Sequence, residues 1–442
     1  MERFRPGPAG ALALWLLLVA VEGGCGRDEV AASGARPAER GARTAPPAGD
    51  LCAGLVRDLD ARPMTALARP ALGAAVVDPQ FGTRIRRITG ASTGEGANAV
   101  IKPAYGTIQA WNADESRILL WHREKGHELY DGRSYAFLRS VKLVSPTDIE
   151  QVLWDPVDPD LLYYPSNYNA QPNLMRYRVS SNSSEVLHRF DNCPAGDWGR
   201  LLSLGSDPMY LSWAEGSKVI GLSCGEQKFL YDVGRNAILG RATIAGRVAP
   251  QPAPSGRLAY FDGKVYDSSL RVARSLPLAG GFEHASLGRS AATGHDLYEA
   301  VVFDPPRGGG RADVGTLVSF DMETGQRRVV VGPSTGYPYP PSGTHISAIA
   351  HRRPGWVAVS IVGDPRGQHL LDNELLLANV DSGTVCRVGH HRSWAGEGRW
   401  GYWGEPHVVI SPSATRLLFG SDWGNGATVD TYVVELPGYA GR

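Results

Sequence analysis

The 442-residue chain is short of the features that mark helical, membrane-spanning or nucleic-acid-binding proteins. Lysine and arginine number 45, and so do aspartate and glutamate, so the formal net charge is zero. Such a balance leaves no footprint for a phosphate backbone, and no nucleic-acid partner is expected. From residue 84 onward no stretch carries the 3.6-residue apolar period of an amphipathic helix. None of the five cysteines forms a C-x-x-C pair, which removes zinc knuckles and dithiol redox motifs. The one uninterrupted apolar run, residues 9–21, falls short of the roughly 20 residues of a membrane span. What remains, 43% apolar and 20% charged residues, is the composition of an ordinary globular protein.

The N-terminus reads as an address. Arg3 and Arg5 precede the run AGALALWLLLVAV, and small residues lead to Cys25, the order of a signal peptide over residues 1–24. VEGGC resembles a bacterial lipoprotein cleavage box, which implies a lipid on Cys25. Glu22 stands where that box has leucine, so secretion without lipid remains the alternative. Residues 25–50 hold almost no large apolar side chain and cannot offset their ordering entropy, so a disordered tether is expected there. Residues 51–82 are expected to dock on the folded body. The expected location is the cell envelope, periplasmic or on the outer surface, or the medium; the membrane is met only through the lipid.

Four cysteines lie beyond the tether. In an exported protein an even number permits two disulfides. Of three pairings, Cys193–Cys224 closes the shortest loop and leaves Cys52 with Cys386. Buried free thiols are the other reading.

From residue 84 the chain is a series of short β runs separated by turn residues, and the runs group in fours. TIQAWN, RILLWHR, HELYDG and FLRSVKL form the first group; THISAIA, WVAVSIVG, NELLLANV and TVCRVG form the sixth. The seventh, HVVIS, RLLFGSD and DTYVVEL, has only three. TRIRRIT at 83–89 supplies the missing strand, because a ring of sheets closes without an open edge when the N-terminal strand completes the last sheet. The fold class expected is all-β: a seven-bladed β-propeller of four-stranded blades over 83–437, about 51 residues per blade. A six-bladed ring with one group inserted is the alternative. WNADESRILLW, WDPVDPDLLYY and ISPSATRLLFG align strand, polar turn and strand, and they resemble the repeats of TolB-like propellers.

In a propeller each blade's first strand lines the central channel. His284, His345 and His407 each begin such a strand in blades five, six and seven, at spacings of 61 and 62 residues. Three neutral imidazoles at one channel mouth form a half-shell suited to zinc, manganese or iron. Hydrogen bonding between neighbouring blades is the competing role for the same side chains. The stretch HHRSWAGEGRWGYWGEPH feeds into His407 and carries Trp394, Arg399, Trp400, Tyr402 and Trp403; the loop before His345 carries Tyr337 and Tyr339. Rings among glycines beside polar groups suit a sugar, although rings packed on one another to stiffen a loop would read alike. Arg307, Arg311, Arg366, His369, Arg392 and Arg399 fall in loops assigned to this face, where arginine would pair a carboxylate. His122, Lys125 and His127 form a second group around a tight turn, but alternation along a strand sends neighbours to opposite faces.

A propeller with channel-mouth histidines in its later blades resembles oligogalacturonate lyase and, more loosely, the ulvan lyases. That resemblance implies a divalent metal held by late-blade histidines, a uronate carboxylate on the metal, and chain cleavage by β-elimination. His284 and His345 correspond best to the metal positions; His407 corresponds through the internal repeat alone. The histidine cluster expected after the second ligand is missing, since His351 lies six residues beyond His345, and no catalytic base is assigned. The expectations are therefore an exported monomer that binds or cleaves an acidic oligo- or polysaccharide, with one divalent ion (manganese, zinc or calcium). The alternative is a non-catalytic surface propeller that binds carbohydrate or protein. No hydrolase-sized region with a G-x-S-x-G elbow follows the array, which disfavours a peptidase.

The N-terminal reading gives the first prediction. Mass spectrometry of the native protein should find the mature chain starting at an acylated Cys25, and an intact Met1 on a soluble chain would overturn it.

Overall fold

Short strands bury their apolar side chains only by stacking sheet on sheet, and the chain does this seven times around one axis. The computed structural model describes residues 50–190, 193, 211–246, 248–277, 284–302, 314–337, 345–395 and 398–439. Blade one holds Ile101–Lys102, Arg117–His122, Gly126–Asp131 and Phe137–Ser140, and blade two Leu153–Trp154, Leu161–Ser166, Asn173–Arg178 and Ser183–Arg189. Blade three holds Val219–Cys224, Gln227–Asp232 and Ala237–Thr243, with Leu211 bridging Ile220 in place of a full inner strand. Blade four holds Gln251–Pro252, Leu258–Phe261, Lys264–Asp267 and Val272–Ser275. Blade five runs from His284–Arg289 through Asp296–Val301 and Leu317–Asp321 to Arg327–Val331. Blade six has His345–Ser347, Trp356–Ser360, Glu374–Asn379 and Val385–His390. The protein is a seven-bladed β-propeller, and the six-bladed alternative falls. Among the described residues no helix is long and apolar enough to cross a membrane.

Blade seven closes the ring. Val409–Ile410, Arg416–Ser421 and Asp430–Glu435 are joined by Arg84–Arg87, which pairs Ile85 with Val434 and Arg87 with Tyr432. The expected four strands become five, because Ala75–Val77 adds outside Arg84–Arg87. Apolar side chains such as Ile85, Val433 and Leu418 are fully buried in this seam. The fully buried Asp430 carboxylate fastens it: one oxygen takes the Thr89 hydroxyl at 3.0 Å and the Ala91 amide at 2.8 Å, and the other takes Arg69, Arg87 at 3.1 Å and Thr428 at 2.9 Å. Backbone bonds between Val429 and residues 99–101 then pass the seam on to blade one.

Residues 50–82 run along blades six and seven. Cys52 is bonded to Cys386, and Cys193 to Cys224. The buried Arg387 guanidinium forks onto Glu374 with two bonds of 2.8 Å and also donates to the Asp60 carbonyl at 2.8 Å. The Leu67 carbonyl accepts from the Trp423 indole at 3.0 Å. Residues 1–49, where a signal peptide and most of a tether are expected, lie outside the described residues.

Asp430 carries the second prediction. Asp430→Ala strands two partly buried guanidiniums and the closing strand's donors, and should cost about 3–5 kcal/mol in urea unfolding. An unchanged midpoint would show that the seam is held by packing alone.

Candidate functional site

Blade one does not contribute the plain inner strand expected at 107–112. It pairs at Ile101–Lys102, leaves the ladder, and returns where Leu119 donates to the Ala110 carbonyl and Trp111 bridges Ile118. Pro103 lacks the N–H that a ladder needs. Gly106 lies so close to blades six and seven that a Cβ there would sit 2.9 Å from the Ile346 carbonyl and 3.2 Å from that of Val408. The Gln109 amide anchors the excursion on the carbonyls of Ile349 and Ile410, at 3.1 and 3.0 Å. Residues 103–109 thus enter the channel and set the Tyr105 ring 4.9 Å from His407, 5.3 Å from His345 and 6.4 Å from His284.

The three histidines gather here. His284 stacks on His345 at 4.0 Å between centroids, and His345 lies 4.1 Å from His407. His407 takes a left-handed backbone, φ 45°, a conformation that persists only where surrounding contacts hold it. The atoms that converge, however, belong to His345, His407 and Glu405, whose ligand atoms all lie within 4.8 Å of one another. Glu405 Oε2 is 3.6 Å from His345 Nε2 and 3.5 Å from His407 Nε2. His284 stands beside this set and outside it. Sequence reasoning passed over Glu405, although its place two residues before His407 was the available signal.

Burial pushes the pKa values of His345 and His407 well below the ordinary range, and nearby cationic groups push them further. Both rings are therefore neutral at neutral pH, the form that binds metal. None of their four nitrogens has a hydrogen bond of ordinary geometry among the described residues, although the Ala104 backbone lies near enough to raise the His407 pKa a little against its burial. Ligand atoms 2.0–2.1 Å from one tetrahedral centre stand about 3.3 Å apart, close to the spacings found here. Two orphaned imidazoles with an adjacent carboxylate fit a divalent cation.

Lys102 completes the floor. Its ammonium is buried, donates to the Glu405 carbonyl and lies 3.4 Å from that of Trp403. Burial draws its pKa far down, while Glu405 and Glu150 hold it partly up. Glu150 is itself pushed up to about 7 by burial and by Asp148, and it accepts the Tyr402 hydroxyl at 3.1 Å. The Tyr402 ring is 42% exposed and sits 5.0 Å from His407, so it forms the open side of the site. At the other end of the channel Trp213 stacks on His351 above a cavity of about 30 Å³ lined by Trp154, Leu211 and Leu287. Among the described residues that cavity is too small for a sugar ring.

The remaining candidates scatter. Trp400 is buried and donates its indole N–H to the Gly426 carbonyl at 2.9 Å, so it stiffens its loop. Trp394 is half-buried, and its amide bonds Asp422. Trp403 packs on Trp121 at 4.9 Å with the Arg123 guanidinium over its ring. Tyr337 is part of the apolar core with Val331 and Leu376 and has no free face. Arg392 turns inward to Asp78 and the Thr65 carbonyl, away from the mouth. Arg366 pairs with Asp364 and His369 with Asp372, whereas Arg399 is exposed. Tyr339, Arg307 and Arg311 lie outside the described residues. In the other histidine group, His122 and Lys125 meet Glu95, but His127 is buried against the Ile149 carbonyl, so the three share no target. A second cluster, His295, Asp321 and Glu323, spends its atoms internally: His295 bonds Asp321 at 2.7 Å, and Glu323 accepts the Asp296 amide.

Among solved structures the chain is similar to an oligogalacturonate lyase in complex with manganese, at 15% identity and a TM-score of 0.57 over 83% of this chain and 96% of that one. It is also similar to the oligogalacturonate lyase of Vibrio parahaemolyticus, at 12% identity and a TM-score of 0.54 over 83% of this chain and 97% of that one. At such identities the likeness establishes the fold. No protein-family model and no curated protein matches the chain.

Buried histidines make stability depend on pH. Burial lowers His127 to about 4 and His391 to about 3 from the ordinary 6.5. The unfolded chain takes up these protons near 6.5 and the folded chain does not, so the stability from this source is complete above 6.5. It is lost as pH falls toward the two folded values, at about 1.4 kcal/mol per pH unit for each histidine. Urea midpoints should therefore drop between about pH 6.5 and about pH 5; a flat profile would contradict the burial of neutral imidazole.

Proposed function

We propose that this protein is a metal-assisted lyase that cleaves an acidic oligosaccharide at the histidine end of its channel. The observation that carries the reading is the convergence of Glu405 with the buried nitrogens of His345 and His407, which make no hydrogen bond of ordinary geometry among the described residues. Similarity of fold to an oligogalacturonate lyase in complex with manganese supports the same ion and substrate class. When bound, a divalent cation there would neutralise a uronate carboxylate and make the neighbouring C–H more acidic. His345, His407 and Glu405 would hold it, with His284 packed behind His345 to fix that ring. Tyr105 walls the site on the channel side, and Tyr402 offers a ring face to the sugar on the open side. Tyr402 and Glu150, joined by a hydrogen bond, are the groups able to move a proton beside the bound sugar. In the elimination a base takes the proton next to the carboxylate, the bond to the departing sugar breaks, and a carbon–carbon double bond forms. The departing oxygen takes up a proton.

Lys102 favours a second reading. A buried ammonium that donates to the Glu405 backbone carbonyl already places an internal cation near the site, as a non-catalytic binding propeller would need to balance the carboxylates around it. Burial lowers the Lys102 pKa to about 7, so its ammonium gives up a proton readily when an ion binds beside it, which reconciles it with the first reading. Export and tethering through Cys25 belong to the proposal as well; two disulfides are what an oxidising compartment permits.

Metal content separates the readings. The purified protein should hold about one divalent ion, and with manganese and oligogalacturonate it should produce the absorbance of an unsaturated uronide. His407→Ala and Glu405→Gln should lower metal affinity by more than the ~10–100-fold typical of outer-shell changes, with loss of turnover. A metal-free protein that forms no product under these conditions would leave the binding propeller as the function.

A further inference from the structure

The excursion toward His407 leaves a second feature beside the site. A groove of about 450 Å³ is lined by Thr93, Gly96, Ala97, Arg123, Arg399, Trp400, Trp403 and Ala427. Its size falls within the ~300–1,000 Å³ of small-molecule sites. Two of its lining residues are arginine and none is acidic, and among the described residues no carboxylate pairs with either guanidinium.

Arg123 is already placed. Its guanidinium lies 4.6 Å from the Trp403 ring centroid, and one N–H donates to the Ala97 carbonyl at 2.9 Å. A guanidinium held over an indole face still has N–H groups for other bonds, and two of them together grip a carboxylate. Arg399 is exposed, with its amide tied to Asn425 at 2.8 Å, so its position is anchored while its head stays in water. The groove is continuous with the metal-ligand set through adjacent residues. Tyr402 faces His407, Trp403 lines the groove, and the two rings touch at 5.2 Å.

We infer that this groove is a second subsite, which takes the carboxylate of another uronate residue when the first is held beside His345 and His407. The inference rests on the lyase reading for its choice of ligand. It makes the protein a reader of chain length: an acidic dimer fills the channel mouth, whereas a longer chain also reaches Arg123 and Arg399. A neutral chain has nothing to give those two side chains.

The test is calorimetric affinity of the full-length protein for di-, tri- and tetragalacturonate, with malto-oligosaccharides of equal length as neutral probes. Affinity should rise with length for the acidic series alone. In Arg123→Ala, and in the exposed variant Arg399→Ala should the first fold poorly, the ratio of tetramer to dimer affinity should fall about tenfold, as for one lost charge-assisted bond. Equal affinity for dimer and tetramer in the wild type would overturn the subsite. So would an equal gain from neutral sugars, or variants that keep the wild-type ratio. Length-dependent acidic binding by a protein that holds no metal and makes no product would defeat the lyase reading and leave the subsite standing.

Discussion

Closure of the ring is the constraint on which everything else depends. Seven sheets around an axis form a stable body only when the last is joined to the first, and here the joint is a strand taken from the opposite end of the sequence. Ile85 and Arg87 pair with Val434 and Tyr432, and Asp430 draws Arg69, Arg87, Thr89 and the Ala91 amide to one buried carboxylate. Hydrogen-bond donors that would otherwise lie unpaired in the seam are satisfied there. The segment before the seam is tied down as well, by the Cys52–Cys386 bond and by Arg387, so the N-terminal region serves as a strap across two blades.

A closed ring brings distant residues together, and the channel mouth shows what that permits. Burying two imidazoles and an ammonium beside a partly buried histidine and carboxylate is expensive, because each loses water. The cost is offset by pairing Lys102 with backbone carbonyls and by keeping His345 and His407 neutral. Some is left standing in the orphaned nitrogens of His345 and His407 and in the left-handed backbone of His407. Polar groups left in want at the histidine end of the channel, while among the described residues Trp213 and His351 narrow the other end, are those of a site built for something to bind.

Loop aromatics obey a different balance. Trp400 and Trp403 stand in a glycine-rich loop, yet each finds apolar neighbours and settles on them, since leaving a large ring in water forgoes its burial energy. Tyr402 between them differs because its hydroxyl has a polar partner in Glu150 at the rim, so the ring can remain half in solvent. One loop therefore both stiffens itself and presents a face to the channel.

The sequence by itself determined the blades, the closing strand, and the phase that puts a histidine at the start of two inner strands and two residues before a third, while it only permitted the two disulfides. These are periodic or local properties: alternation fixes which side chains face inward, turn residues fix where a sheet reverses, and an even repeat fixes which positions share a level. Only the tertiary structure decided which of those residues meet. Glu405, rather than His284, completes the converging set, two residues before the left-handed backbone of His407. Tyr105 enters the channel because Gly106 lets the backbone of blade one press against blades six and seven, an approach that no repeat in the sequence marks. Arg392 and Tyr337 were drawn inward by Asp78 and by the core between blades. A side chain's final partner depends on what the other strands leave unpaired, and that is known only once the ring has closed.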